Sequence, residues 1–145
     1  MASPLLIGSD HAGFEVKERL KRVLDRLGLR YHDAGPASAQ AVDYPDFAHI
    51  VAGAVSRGEA ERGVLVCGSG QGMAMAANRH RGVRAALAWN EETARLSREH
   101  NDANVLALGA RTLPEGEAEK ILEVWLHTPF AGGRHLPRVR KIDRE

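Results

Sequence analysis

One thiol gathers around itself most of the residues that could do chemistry in this 145-residue chain. Cys67 is the only cysteine, and it stands directly before Gly68-Ser69-Gly70-Gln71-Gly72. A thiol at the end of a strand and beside a helix N-terminus gains thiolate character, which suits a base or a nucleophile. The plainer reading is a small, buried, apolar residue. Ser69 is open in the same way: it donates to an oxyanion, or it hydrogen-bonds within the turn. The glycines are spaced G-x-G-x-G, so the dinucleotide pattern G-x-G-x-x-G fails at Met73. The Walker pattern fails as well, because no Gly-Lys-Ser/Thr follows. What remains is a flexible loop whose free backbone N–H groups can hold an anion, or simply a tight strand-to-helix turn.

Further along the chain, His11 and His100 are candidate acids or bases, since histidine as a residue type titrates near neutrality. Each is equally a surface or packed histidine. Asp10 either orients a substrate hydroxyl or caps a helix starting near Gly13. After the pair Gly132-Gly133 comes a basic cluster, Arg134, His135, Arg138 and Arg140. It is a solvated tail, or a phosphate clamp built on arginine's fork geometry. The histidines lack paired metal-site spacing, and one cysteine is too few for a cysteine-based zinc site. No metal or redox cofactor is expected.

These groups need a scaffold, and the apolar pattern supplies one. Short apolar runs alternate with helical periodicity, which predicts a Rossmann-like three-layer α/β/α sandwich around a five-stranded, mainly parallel sheet. Strands are expected at Pro4–Gly8, Leu29–His32, Val64–Cys67, Val83–Trp89 and Val105–Leu108. Helices are expected from Phe14 to a stop at Gly28, from Asp43-Tyr44-Pro45 to Gly58, over Met73–Asn78, after the N-cap Asn90, and over Glu115–His127. The stretch from Pro129 reads as a tail. In such a sheet, ligands bind beyond the carboxyl ends of the strands. Asp10-His11 and the Cys67 loop fall there. His100-Asn101-Asp102 does not, because it enters the fifth strand from below; it joins the same pocket only through a bend or by reaching a pocket in a partner subunit. The strand order is not legible from this pattern.

Composition sets the bounds. The chain is 43% hydrophobic and 27% charged, ordinary for a soluble globular protein, and there is no internal repeat or linker. One domain spanning residues 1–145 is expected, burying roughly two-thirds of its unfolded surface. A net charge of +1 gives no global field toward nucleic acid or an acidic membrane. A lone cysteine suits a reducing compartment, and neither a signal peptide nor a membrane span is apparent, so a cytoplasmic location is expected.

Six segments together resemble one family. They are Ile7-Gly8-Ser9-Asp10-His11-Ala12-Gly13-Phe14, Asp43-Tyr44-Pro45, Cys67 to Gly72, Ala76-Ala77-Asn78, Leu96 to Leu106, and Gly132-Gly133-Arg134-His135. In this order they resemble the type B ribose-5-phosphate isomerases, a family that includes allose-6-phosphate and galactose-6-phosphate isomerases, over residues 5 to about 142. The resemblance implies an aldose–ketose isomerase that opens the sugar ring and passes through an enediolate. Cys67 then matches the base that moves a proton between the first two carbons, and Ser69 assists transfer between the oxygens. The amides of Gly68, Gly70, Gln71 and Gly72 match an anion hole. His100 matches the ring-opening residue, with Asn101, Asp10 and Tyr44 binding sugar. His11, Arg134, Arg138 and Arg111 match the phosphate-binding set. The family is dimeric with sites shared between subunits, which also implies a homodimer, or a dimer of dimers, here. One branch replaces the cysteine by glycine and uses a glutamate a few residues later. That later position is Met73 here, so the chain resembles the cysteine type.

The reaction needs a base at carbon, oxyanion stabilisation and an anchor, and this residue set supplies all three. Three other readings are weighed beside it. A six-carbon sugar phosphate would be distinguished by pocket length. A non-catalytic sugar-phosphate binder would need the arginines but not Cys67, Ser69 and His100 together. A nucleic-acid role would rest on the basic tail alone, which also holds Asp143 and Glu145.

Overall fold

The computed structural model describes residues 4–145. Strand β1 (Leu5–Ser9) is buried along its whole length, and helix α1 (Phe14–Arg26) follows it. Leu20, Val23 and Leu24 recur at helical spacing on the buried face of α1. Gly28, at φ +70°, then turns the chain in a left-handed conformation open to glycine. Next come β2 (Tyr31–Gly35), α2 (Tyr44–Ser56), β3 (Arg62–Cys67) and α3 (Gln71–Ala77). The order finishes with β4 (Ala85–Leu87), α4 (Glu91–Glu99), β5 (Val105–Gly109), α5 (Glu117–His127) and α6 (His135–Ile142).

Every strand pairing is parallel, in the order β2-β1-β3-β5-β4. From β1 the chain moves outward to β2, then returns to place β3 on the other side of β1. A crevice therefore opens between the ends of β1 and β3, the switch point where open α/β sheets take ligands.

Strand alternation splits the core into two layers. Ile7, Val64, Val66, Leu106 and Leu108 face one way, against α1, α4 and α5, with Leu24, Ile121 and Trp125 fully buried there. Leu6, Leu65, Cys67, Val105 and Ala107 face the other way, against Val51 of α2 and Met73 and Ala77 of α3. Each large apolar side chain buried here contributes about 1.5–3 kcal/mol. Cys67 shares a face with Leu65, so its sulphur lies on the α3 side. That is where its helix begins.

The sandwich agrees with the sequence reading, and the differences lie at the margins. Strand β2 starts two residues later than expected and runs on to Gly35; as a half-exposed edge strand it carries little apolar signal. Strand β4 occupies only three of the seven residues expected. Asn104 Oδ1 accepts from the Arg84 amide at 2.7 Å, and Asn78 bonds both backbone groups of Ala85, at 2.8 and 2.9 Å. These side chains take backbone groups that a longer ladder would use. The expected tail contains α6, which buries His135 and Val139 beneath exposed arginines. Pro137 lies in its first turn, where a missing N–H costs no intrahelical bond.

Candidate active site

At the carboxyl ends of β1, β3 and β5, a cleft of about 490 Å³ is lined by Asp10, Tyr44, Cys67, Gly68, Ser69, Gly72, Arg111 and Thr112. Its size is typical of small-molecule sites. A larger depression, about 740 Å³, lies around Pro4, Leu6, Arg30 and Tyr31. It sits at the opposite edge of the sheet, at the strand starts, and holds none of the candidate chemistry.

The cleft floor is the end of β3. Cys67 is 5% exposed, and the Gly70 N–H donates to its Sγ at 3.2 Å. Past the strand ends, the Ala110 amide bonds the Cys67 carbonyl at 2.8 Å and the Arg111 amide bonds the Gly68 carbonyl at 2.9 Å. The loop from Gly68 is thus stitched to the segment after β5. Gly70 has φ +79°, and a Cβ there would strike the backbone of Leu108 and Gly109. No other residue fits that turn without moving β5. Gly72 lies beneath the Tyr44 ring, so a methyl group at that position would push the ring out of the cleft. Gly72 also stands in the first turn of α3, where helix geometry supplies its N–H with no intrahelical acceptor.

Asp10 stands in the turn between β1 and α1. It is 7% exposed, lines the cleft, and accepts the Gly13 N–H through Oδ1 at 2.9 Å. Ser69 Oγ lies 3.4 Å from the Gln71 N–H and also faces the cleft. The Arg111 guanidinium rests beside Gly68. His11 stands exposed just outside, its Nδ1 accepting the Val42 N–H at 3.1 Å. Thr112 was not singled out from sequence. The strand-end rule that found Asp10 and Cys67 points equally to Gly109-Ala110-Arg111-Thr112, but no glycine loop or titratable group flags that threonine.

A second cluster sits elsewhere. His100 closes the C-terminal end of α4 and Asn101 follows it, while Arg134 and Arg138 belong to α6. The His100 and His135 rings stack at 4.4 Å with 14° between their planes. Burial, together with the nearby charges of His100, Arg134 and Arg138, holds the His135 pKa below that of an ordinary histidine. The Ala131 amide donates to the Glu99 carbonyl at 3.0 Å, tying the approach to α6 onto α4. Among the described residues, Arg111, Arg134 and Arg138 have no carboxylate within ion-pair distance. Their guanidinium groups are uncommitted.

One chain does not bring the two clusters together. Cys67 pairs with Gly109 at the end of β5, whereas His100 and Asn101 precede its start at Val105. The four residue steps between span ~13 Å of strand. The cleft therefore holds the thiol, the hydroxyl and the glycine loop, while the far end holds the imidazole and two free cations. Met73, at the position where a glutamate base would stand in the other branch, is fully buried in the α2–α3 core.

The family described as Ribose/Galactose Isomerase matches residues 5–142. Ribose-5-phosphate isomerase B of Escherichia coli is 41% identical over 138 residues, covering 95% of this chain and 93% of that protein. The structure of Clostridium thermocellum ribose-5-phosphate isomerase B superposes with a TM-score of 0.94 at 46% identity, covering 97% of this chain and 95% of the other. Ribose-5-phosphate isomerase B from Mycoplasma genitalium, solved with bound ribulose 5-phosphate, gives a TM-score of 0.94 at 41% identity and covers 99% and 96%.

Proposed function

Because the chain belongs to the ribose/galactose isomerase family, we propose that it interconverts ribose 5-phosphate and ribulose 5-phosphate with Cys67 as the base. The chain is an isomerase, and the whole of it acts as one domain. The observation that carries the assignment of the base is a buried thiol on the cleft floor, within hydrogen-bond reach of the Gly70 amide and flanked by Ser69.

The residue roles in these steps are those that the family resemblance implies. His100 assists opening of the furanose ring, and Asn101, Asp10 and Tyr44 hold the open-chain sugar. The Cys67 thiolate removes the proton from C2. The C2–H electron pair forms the C1–C2 double bond, and negative charge moves onto O1. Backbone amides of Gly68, Gly70, Gln71 and Gly72 stabilise this enediolate, each well-aimed donor contributing roughly 3–4 kcal/mol. Ser69 passes the O2 proton to O1. The Cys67 thiol returns its proton to C1, giving the ketose and restoring the thiolate. A positioned base of this kind contributes about 10²–10⁴-fold. His11, Arg111, Arg134 and Arg138 hold the phosphate, so that binding energy from an unreactive group fixes C1 and C2 near sulphur.

The second cluster reaches a cleft only if two copies pair, and we assign the working unit as a homodimer whose sites each combine the Cys67 end of one protomer with the His100 end of its partner. No described helix is long and apolar enough to cross a membrane. With a single cysteine, the cytoplasm is the compartment proposed.

Proton NMR of the purified protein with ribose 5-phosphate in heavy water, run beside allose 6-phosphate, tests the reading. Ribulose 5-phosphate should form, and faster than any product of the six-carbon sugar. Faster conversion of allose 6-phosphate would move the assignment to the six-carbon branch, and binding without conversion of either would leave a sugar-phosphate binder.

A further inference from the structure

Lys17 is a fully buried ammonium in the first turn of α1, and no step above uses it. Its Nζ donates to the Asp33 carboxylate and to the backbone of Pro36. The two Asp33 oxygens lie 2.8 and 2.9 Å from Nζ, and the Pro36 carbonyl accepts at 2.8 Å. Asp33 in turn accepts the Gly35 amide at 2.9 Å and a bond from Lys21 at 2.9 Å. Burial pushes the Asp33 carboxyl up, but the bonds from Lys17, Lys21 and Gly35 outweigh it and hold the group ionised below the usual range. Lys21, at the rim, shares Asp33 with Lys17; the bond to Pro36 is made by Lys17. A buried ion pair is seldom worth more to stability than apolar groups of the same volume. What this one supplies is a fixed position for the end of β2 and the start of the segment 36–43.

That segment leads to the cleft. At its far end the Val42 N–H bonds His11 Nδ1 at 3.1 Å, and Asp43 then starts α2, whose first residue, Tyr44, lies over Gly72. An imidazole nitrogen that accepts an N–H carries no proton, so this bond leaves the ring proton of His11 on Nε2. A segment clamped at Pro36 and seated at Val42 therefore fixes both the tautomer of His11 and the place of Tyr44.

We propose that Lys17 is a positioning residue for substrate binding: through Asp33 and Pro36 it fixes segment 36–43, which holds His11 as the Nε2–H donor and seats Tyr44 over the anion loop. This rests on the isomerase reading above. Val42 is the second part of the same device, acting through its backbone amide rather than its side chain.

Two variants test it, Lys17→Met and Val42→Pro, the second deleting a single N–H at the far end of the segment. Each is assayed for kcat and KM with ribose 5-phosphate, for thermal unfolding, and by ¹⁵N NMR of the histidine rings without substrate. The expected result is a KM raised about tenfold with kcat nearly kept, and a His11 signal moved from a pure Nε2–H tautomer to a mixture. A purely structural Lys17 would lower the melting temperature and leave both KM and the His11 tautomer as in wild type, which overturns the proposal. Should Lys17→Met not fold, Val42→Pro decides alone, and a wild-type KM with an unchanged His11 signal refutes it. Wild-type protein inert toward ribose 5-phosphate would sink the function instead, while the NMR arm still judges the positioning role.

Discussion

At Cys67 a single amide, Gly70 N–H, meets the sulphur, and Gly70 can make that bond only because it holds φ +79° against the end of β5. Two substitutions follow from this. Cys67→Ala should reduce turnover by at least ~10²-fold, the range of a positioned base, while equilibrium binding of a sugar phosphate stays within a few-fold. Retained turnover would assign the base to another group. Gly70→Ala forces a Cβ into the Leu108–Gly109 backbone, so it should cost both stability and turnover; urea unfolding together with kcat measures the two. The sequence carried much of this, since a lone cysteine before three spaced glycines marks a strand end and the turn into the next helix. It could not carry the contact of the Tyr44 ring with Gly72, or the place of Thr112, because those depend on how α2 and β5 approach β3 in space.

Among the elements, the central ones were the most legible, for a physical reason. Strands β1, β3 and β5 are buried on both faces and read as unbroken apolar runs. The edge strands β2 and β4 are half-exposed, and their ends are set by the side-chain bonds of Asp33, Asn78 and Asn104 rather than by apolar pattern. Helix α6 was hidden by its arginines and by Pro137. Helix α4 shows a local signal in full: Asn90 Oδ1 accepts the Thr93 amide at 2.7 Å, and Thr93 Oγ1 accepts the Asn90 amide at 3.2 Å, a reciprocal cap. Asn90→Ala should lower unfolding free energy by about 1 kcal/mol in urea titration, with folded protein still active. No loss of stability would mean that tertiary packing alone sets the start of α4.

For the molecule as a whole, two histidines link protonation to stability. Burial, with His49 at 2.7 Å and Arg57 nearby, lowers the His80 pKa below 6.5; burial, His100 and two arginines do the same for His135. The unfolded chain thus binds protons that the folded chain refuses, so these groups contribute their full stability above pH ~6.5 and lose it as pH falls through their folded-state values. Melting temperature should drop between pH 7.5 and 5.5, and His80→Asn should flatten that slope; a variant with the wild-type slope would remove His80 from the effect. The larger question at this scale is that the thiol and His100 lie at opposite ends of one sheet, and the proposed homodimer would bring them together across its interface. Mixing inactive Cys67→Ala and His100→Ala proteins, with subunit exchange verified, measures this most directly. Random pairing in a two-fold dimer leaves one intact site in half of the dimers, so ribose 5-phosphate isomerisation should return to about a quarter of the wild-type rate. No recovery after complete exchange would contradict a site shared between two protomers.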